Sequence, residues 1–172
     1  HRDRALRILR DLRANHPPTE KIVPALLELA QLTLEDRQVD DALSILNEAR
    51  ALQPPRELLD RIDLVIAEAQ YRAEQWEQAA ASFERVAYSK SDFAKMSIFN
   101  AALSRLKSGD GSRFAANYDQ FAKANGEVEA RAELRLAEGL AQAARGEERA
   151  AASLRNFVRD FPNDAHASEA WV

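Results

Sequence analysis

The sixteen residues VDDALSILNEARALQP, Val39–Pro54, decide how the rest of this 172-residue chain is read. Ala42, Leu46 and Ala49 stand four and three apart, which places them on one face of a helix. Pro54 follows five residues after Ala49 and stops that helix. The same order of small, large and apolar residues followed by proline occurs at Ala5, Leu9, Leu12 and Pro17, and again at Ala150, Leu154, Phe157 and Pro162. Two further copies have a degenerate last position: Ala79, Phe83, Val86 and Ser91, then Phe114, Tyr118, Phe121 and Gly126. The first anchors lie 37, 37, 35 and 36 residues apart, so the chain is an internal repeat of helical units.

These residues resemble the tetratricopeptide repeat (TPR), a helix-turn-helix unit of about 34 residues. Leu26, Leu29 and Ala30 match the family's first-helix positions ahead of the second-helix set Ala42, Leu46, Ala49 and Pro54. Gly109-Asp110 and Gly146-Glu147 fall where the family often has its turn glycine. The resemblance implies an all-α, right-handed α-α superhelix of about five hairpins, the first and last incomplete. The units run approximately over 1–18, 20–55, 57–91, 92–126 and 127–163, with a further repeat beginning over 164–172. Together they are expected to form a single solenoid domain, cut from a longer protein. The segment FVRDFPNDAHASEAW, 157–171, is also similar to junctions in TPR proteins of bacterial envelope machinery, which favours a periplasmic or envelope location over the cytoplasm.

Composition agrees with closely packed helices. Hydrophobic residues make up 46% of the chain, much of it alanine, with five glycines and six prolines. A formal charge of −4 argues against a general nucleic-acid binder. No apolar run approaches the roughly 18–20 residues needed to span a bilayer. The absence of cysteine removes disulfides, thiolate catalysis and cysteine-based metal sites.

The periodicity predicts helices over His1–Asn15, Glu20–Glu35, Val39–Leu52, Glu57–Glu74, from Trp76, and over Phe93–Lys107, Arg113–Ala124, Glu127–Arg145 and Glu147–Asp160. Thr19, Ser91-Asp92 and Ser112 are the expected N-terminal caps. Asn125-Gly126 is an expected C-terminal cap, both residues tolerating a left-handed backbone. Trp76 reads as a packing residue. Phe114 puts a ring where the other repeats have alanine, so its hairpin should be the least regular. The cluster Arg2, Arg4, Arg7, Arg10 and Arg13 reads as a solvated basic face.

Catalytic chemistry finds little to stand on. His1, His16 and His166 have neither an HExxH context nor metal-ligand spacing. Asp40-Asp41 and Glu147-Glu148 open second helices, where acids favour the helix dipole. No enzyme activity, metal or cofactor is therefore expected. The TPR resemblance instead implies a scaffold that holds a peptide or partner helix in a concave groove lined by successive first helices. Position by position, that groove would present Arg61, Leu64, Glu68, Tyr71 and Arg72, then Met96, Asn100 and Lys107, and finally Arg135. Leu27, Gln31, Leu34, Phe99, Glu138 and Gln142 are its expected flanks. A carboxylate clamp of the chaperone-tail kind is not expected, because Leu27 and Leu64 occupy positions that need lysine. The competing expectations are self-association through the end hairpins, with Trp171 supplying apolar surface, and a regulatory domain of a larger protein.

Overall fold

The computed structural model describes residues 2–89, 91–168 and 170. His1 and Trp171 lie outside the described residues. Nine α-helices and one 3-10 turn are present among them, with no strand. They group into two compact units, 1–94 and 95–172, taken in turn below.

The first unit holds α1 (Arg2–Asn15), the 3-10 turn Glu20–Ile22, α2 (Val23–Glu35), α3 (Val39–Ala51), α4 (Arg56–Arg72) and α5 (Trp76–Ala87). Helices α2 and α3 form one antiparallel hairpin, α4 and α5 the next, and α3 packs on α4. The repeat anchors point into these seams: Ala42, Leu46 and Ala49 are fully buried, and Ala79, Phe83 and Val86 nearly so. Each large apolar side chain buried this way contributes about 1.5–3 kcal/mol, which is why the anchor spacing recurs. In α1 the same anchors, Ala5, Leu9 and Leu12, are only half-buried. Helix α4 is buried around most of its circumference. Ile62, Val65, Ile66 and Ala69 are inside as the periodicity predicts, but so are Asp60 and Asp63. Their charges are met by Arg56, at 3.1 Å from Asp60, and by Arg50 of α3, at 2.9 Å from Asp63.

Thr19 does not cap through its side chain; it stands in extended backbone, and the turn Glu20–Ile22 precedes α2. Pro24 at the start of α2 explains this, since a missing amide is tolerated in the first helical turn.

The second unit holds α6 (Ala94–Ser108), α7 (Gly111–Lys123), α8 (Val128–Ala144) and α9 (Ala150–Asp160). Helices α8 and α9 run side by side, with Gly139 at the closest point. A Cβ on Gly139 would stand 2.5 Å from Leu154 Cδ2. Ala30, Ala67 and Ala102 share this register in the earlier first helices, and all three are fully buried. Helices α6 and α7 lack the close backbone approach seen along the other hairpins among the described residues. Large rings fill the space instead: Phe114 is fully buried 6.2 Å from Tyr118, and Phe121 packs 5.7 Å from Phe99.

The cap of α7 is Asp110 rather than Ser112. The Asp110 carboxylate accepts the Arg113 amide at 3.1 Å, and the Ser112 hydroxyl donates to that same carboxylate at 2.9 Å. A carboxylate reaching the third amide satisfies an orphan donor, and Ser112 lies too far into the helix to do so. At the far end of α7, only Asn125 adopts the left-handed backbone, with φ 55°. Gly126 is needed for room, because a Cβ there would stand 2.3 Å from the Phe121 ring. Beyond α9, residues 161–168 form successive turns rather than the expected start of a helix. They are held down by Phe161, 6.0 Å from Phe157, and by buried Ala167.

Every first helix ends in the same way. Arg37, Glu74, Gly109 and Gly146 have φ of 59°, 59°, 82° and 67°, at spacings of 37, 35 and 37 residues. After each, the next amide bonds back five residues, at 2.9–3.1 Å: Gln38 to Thr33, Gln75 to Gln70, Asp110 to Arg105 and Glu147 to Gln142. This is the Schellman motif, repeated once per hairpin.

Candidate functional site

The nine candidate residues divide between the units. Arg61, Leu64, Glu68, Tyr71 and Arg72 stand on α4 in the first unit. Met96, Asn100 and Lys107 stand on α6 and Arg135 on α8 in the second.

On α4 the spacing of three and four aligns them in a strip. Arg61 and Arg72 are exposed, Glu68 and Tyr71 are half-buried, and Leu64 is only 8% exposed. Leu64 is thus part of the packing rather than of a presented surface, as are Leu27 and Leu34 of α2. The reason is the wide burial of α4 and α2, which a single-face helical pattern does not reveal. The Tyr71 ring meets the Trp76 ring edge-on at 4.9 Å. One helix and the first residue of the next are thereby joined across the hairpin turn. Partial burial pushes the Tyr71 phenol upward. Burial also raises the Glu68 carboxyl, outweighing the nearby Arg72 charge that lowers it. The strip therefore offers a fixed ring, a partly desolvated acid and two mobile guanidinium groups.

In the second unit, Met96 is 44% exposed and lines a cavity of about 290 Å³ with Phe99, Phe121 and Ala130. Lys95 and Glu127 close its rim as an ion pair, which holds the Glu127 carboxyl below its usual range. Asn100 is half-buried, and its carbonyl accepts the Ser104 hydroxyl at 2.8 Å. Lys107 is exposed. Arg135 is engaged within the unit: its guanidinium lies 3.7 Å over the Tyr118 ring and donates to Glu138 at 2.9 Å. Gln142, an expected flank, is buried.

Two features of this unit had little sequence signal. Arg105 is 1% exposed, although its neighbours in the sequence suggested a solvated position. It lies 3.9 Å from Asp110, the cap of α7, so the acid five residues on is the only local hint. The Lys95–Glu127 pair spans 32 residues and had no hint at all.

Among the described residues no group of histidines, cysteines or acids is arranged to hold a metal, and no helix is long and apolar enough to cross a membrane. His16 and His166 are exposed; the latter lies 3.1 Å from Asp164. Asp40 and Asp41 lie in the first turn of α3, and Glu147 is bound by Arg145 and Arg149, each at 2.6 Å.

No family model matches the sequence, and no curated protein matches it significantly. A solved structure does: nearly identical TPR-like repeats of a Podosopora anserina protein described as a kinesin light chain. It superposes with a TM-score of 0.66 at 15% identity, over 93% of this chain and 84% of that one. The fold is TPR-like. At this identity the likeness concerns the fold alone. The four Schellman turns and the small residues at Ala30, Ala67, Ala102 and Gly139 are the local devices by which this sequence builds TPR-like hairpins.

Proposed function

We propose that this chain is a non-catalytic scaffold that binds another protein, and that α4 carries the contact through Arg61, Glu68, Tyr71 and Arg72. The partner is an extended peptide or a helix with an apolar or aromatic anchor and at least one carboxylate. The supporting observation is the strip itself. Tyr71 is immobilised by Trp76, so a partner that packs on it orders few additional rotors. Arg72 is exposed beside it and suits bidentate contact with a carboxylate. Tyrosine and arginine are the residue types that most often dominate binding energy. The TPR-like fold supports a protein partner in general, and the scarcity of convergent catalytic groups supports the absence of chemistry.

The test is affinity capture from a lysate of the source organism, comparing the wild type with Arg72→Glu and Tyr71→Phe/Arg72→Glu. Both variants keep the ring on Trp76, so helicity and melting temperature should be unchanged. A protein retained by the wild type and lost with both variants supports the reading. Identical capture by all three removes α4 as the contact.

A further inference from the structure

Apart from α4, two surfaces of this chain are complementary to each other. The first lies on α1. Ala5, Ile8 and Leu12 follow one another at spacings of three and four, and none is covered: Ile8 is 54% exposed and the other two are half-buried. Arg4 and Arg7 flank Ile8. Both are exposed and make no ion pair among the described residues, whereas Arg2 is held by Asp36 and Glu35, and Arg13 by Glu48.

The second surface is a groove of about 490 Å³ beside α8, lined by Glu129, Glu133, Leu136, Leu140, Asp164 and His166. Leu140 is 54% exposed, as is nearby Val128. Glu129 and Glu133 are exposed without an ion pair among the described residues. Asp164 is held in its ionised form by the backbone amide and ring of His166.

We infer that copies of this chain associate head to tail, the α1 face of one copy seating in the α8 groove of the next. A helix that presents an apolar strip between arginines meets a groove with a leucine floor and a carboxylate rim, which is helix-in-groove recognition with charge complementarity. Both halves of the contact belong to the same polypeptide, so every copy brings its own partner surface at equal concentration. The contact is heterologous: each pair leaves one α1 face and one α8 groove unfilled, and association continues beyond a dimer.

The experiment is sedimentation equilibrium of the intact chain from micromolar to millimolar, with two charge reversals, Arg4→Glu/Arg7→Glu and Glu129→Lys/Glu133→Lys. All four side chains are exposed, so each variant should keep its fold by circular dichroism. The wild-type mass should rise past the dimer with concentration, and either reversal alone should weaken association by at least about tenfold. Mixing the two variants should restore growth, because each then offers the charge that the other lacks; unfolded variants could not produce that result. A wild type that stays monomeric throughout overturns the inference. So does a closed dimer, an assembly insensitive to either reversal, or a mixture that fails to recover.

Discussion

The four first-helix termini make a natural experiment in backbone conformation. Arg37 and Glu74 hold the left-handed region with side chains that disfavour it, while Gly109 and Gly146 hold it with none. An L-residue in this region costs about 1–2 kcal/mol. Glycine escapes that cost but loses about 0.5–1 kcal/mol more backbone entropy on folding. Glu74→Gly should therefore stabilise the chain by about 0.5–1 kcal/mol. Gly109→Ala and Gly146→Ala should destabilise by a similar amount. No atom lies within 4 Å of a Cβ built at either glycine, so the loss is conformational and not steric. Glu74→Ala serves as the charge control, since it removes the carboxylate and keeps the Cβ; it should differ little from wild type. In a chain of this length about 1 kcal/mol moves the melting temperature by roughly 2–4 °C. Repeat arrays open locally, so amide exchange across the α4–α5 turn should report the change more directly than a global melt. Slower exchange after Glu74→Gly, with urea midpoints rising, is the expected result. If Glu74→Gly is neutral or destabilising while Glu74→Ala is neutral, the conformational account of these turns is wrong.

Three further outcomes follow from particular contacts. Gly126→Ala should destabilise by about 1–3 kcal/mol in urea denaturation, because its Cβ meets the buried Phe121 ring at 2.3–2.7 Å and that ring has no room to retreat. Gly139→Ala meets Leu154 Cδ2 at 2.5 Å, yet Leu154 is only half-buried and flexible. Its cost should be largely relieved in Gly139→Ala/Leu154→Ala, where the gain in helix propensity of about 1 kcal/mol remains, and a double-mutant cycle measures this coupling. Asp110 titrates below its ordinary range, first because of the Arg113 amide and then the Ser112 hydroxyl. Its folded value lies below its unfolded one, so its stabilisation is present above pH of about 4 and lost as pH falls through the folded value. The stability difference between wild type and Asp110→Asn should thus be flat at neutral pH and shrink in acid, read from urea midpoints across pH.

The helical hairpins were legible because burial imposes a periodicity that the sequence must carry. Ala42, Leu46 and Ala49 are fully buried, and the equivalent residues of α5 and α7 nearly so; that is why their spacing recurs about every 36 residues. The helix ends were less legible, for an identifiable reason. Two of the four left-handed turns use glycine and announce themselves; the other two use Arg37 and Glu74, which have no preference for that conformation. There the hairpin imposes the backbone on the residue. Asn125-Gly126 looked like one signal and is two: one residue supplies the dihedral angle and the other supplies space. Asp110 displaced Ser112 as the cap because capping depends on reach to the third amide, and either residue type would serve.

The binding surface was legible only as a face. Periodicity places Arg61, Leu64, Glu68, Tyr71 and Arg72 on one strip, but whether a side chain on it is presented depends on what packs beside it. Leu64 is withdrawn by the burial of α4 on nearly every side. Arg135 has the right spacing on α8, yet Tyr118 of α7 takes its guanidinium from 17 residues upstream. Such competition is set by tertiary neighbours and leaves no trace in local spacing. It also separates the candidates physically. An arginine already stacked on a ring and paired with Glu138 must give up both contacts before it can serve a partner. Arg72 has no such debt to a ring, and Tyr71 is already fixed against Trp76. That difference in the cost of recruitment is why α4, and not α8, is the helix on which a partner should be sought first.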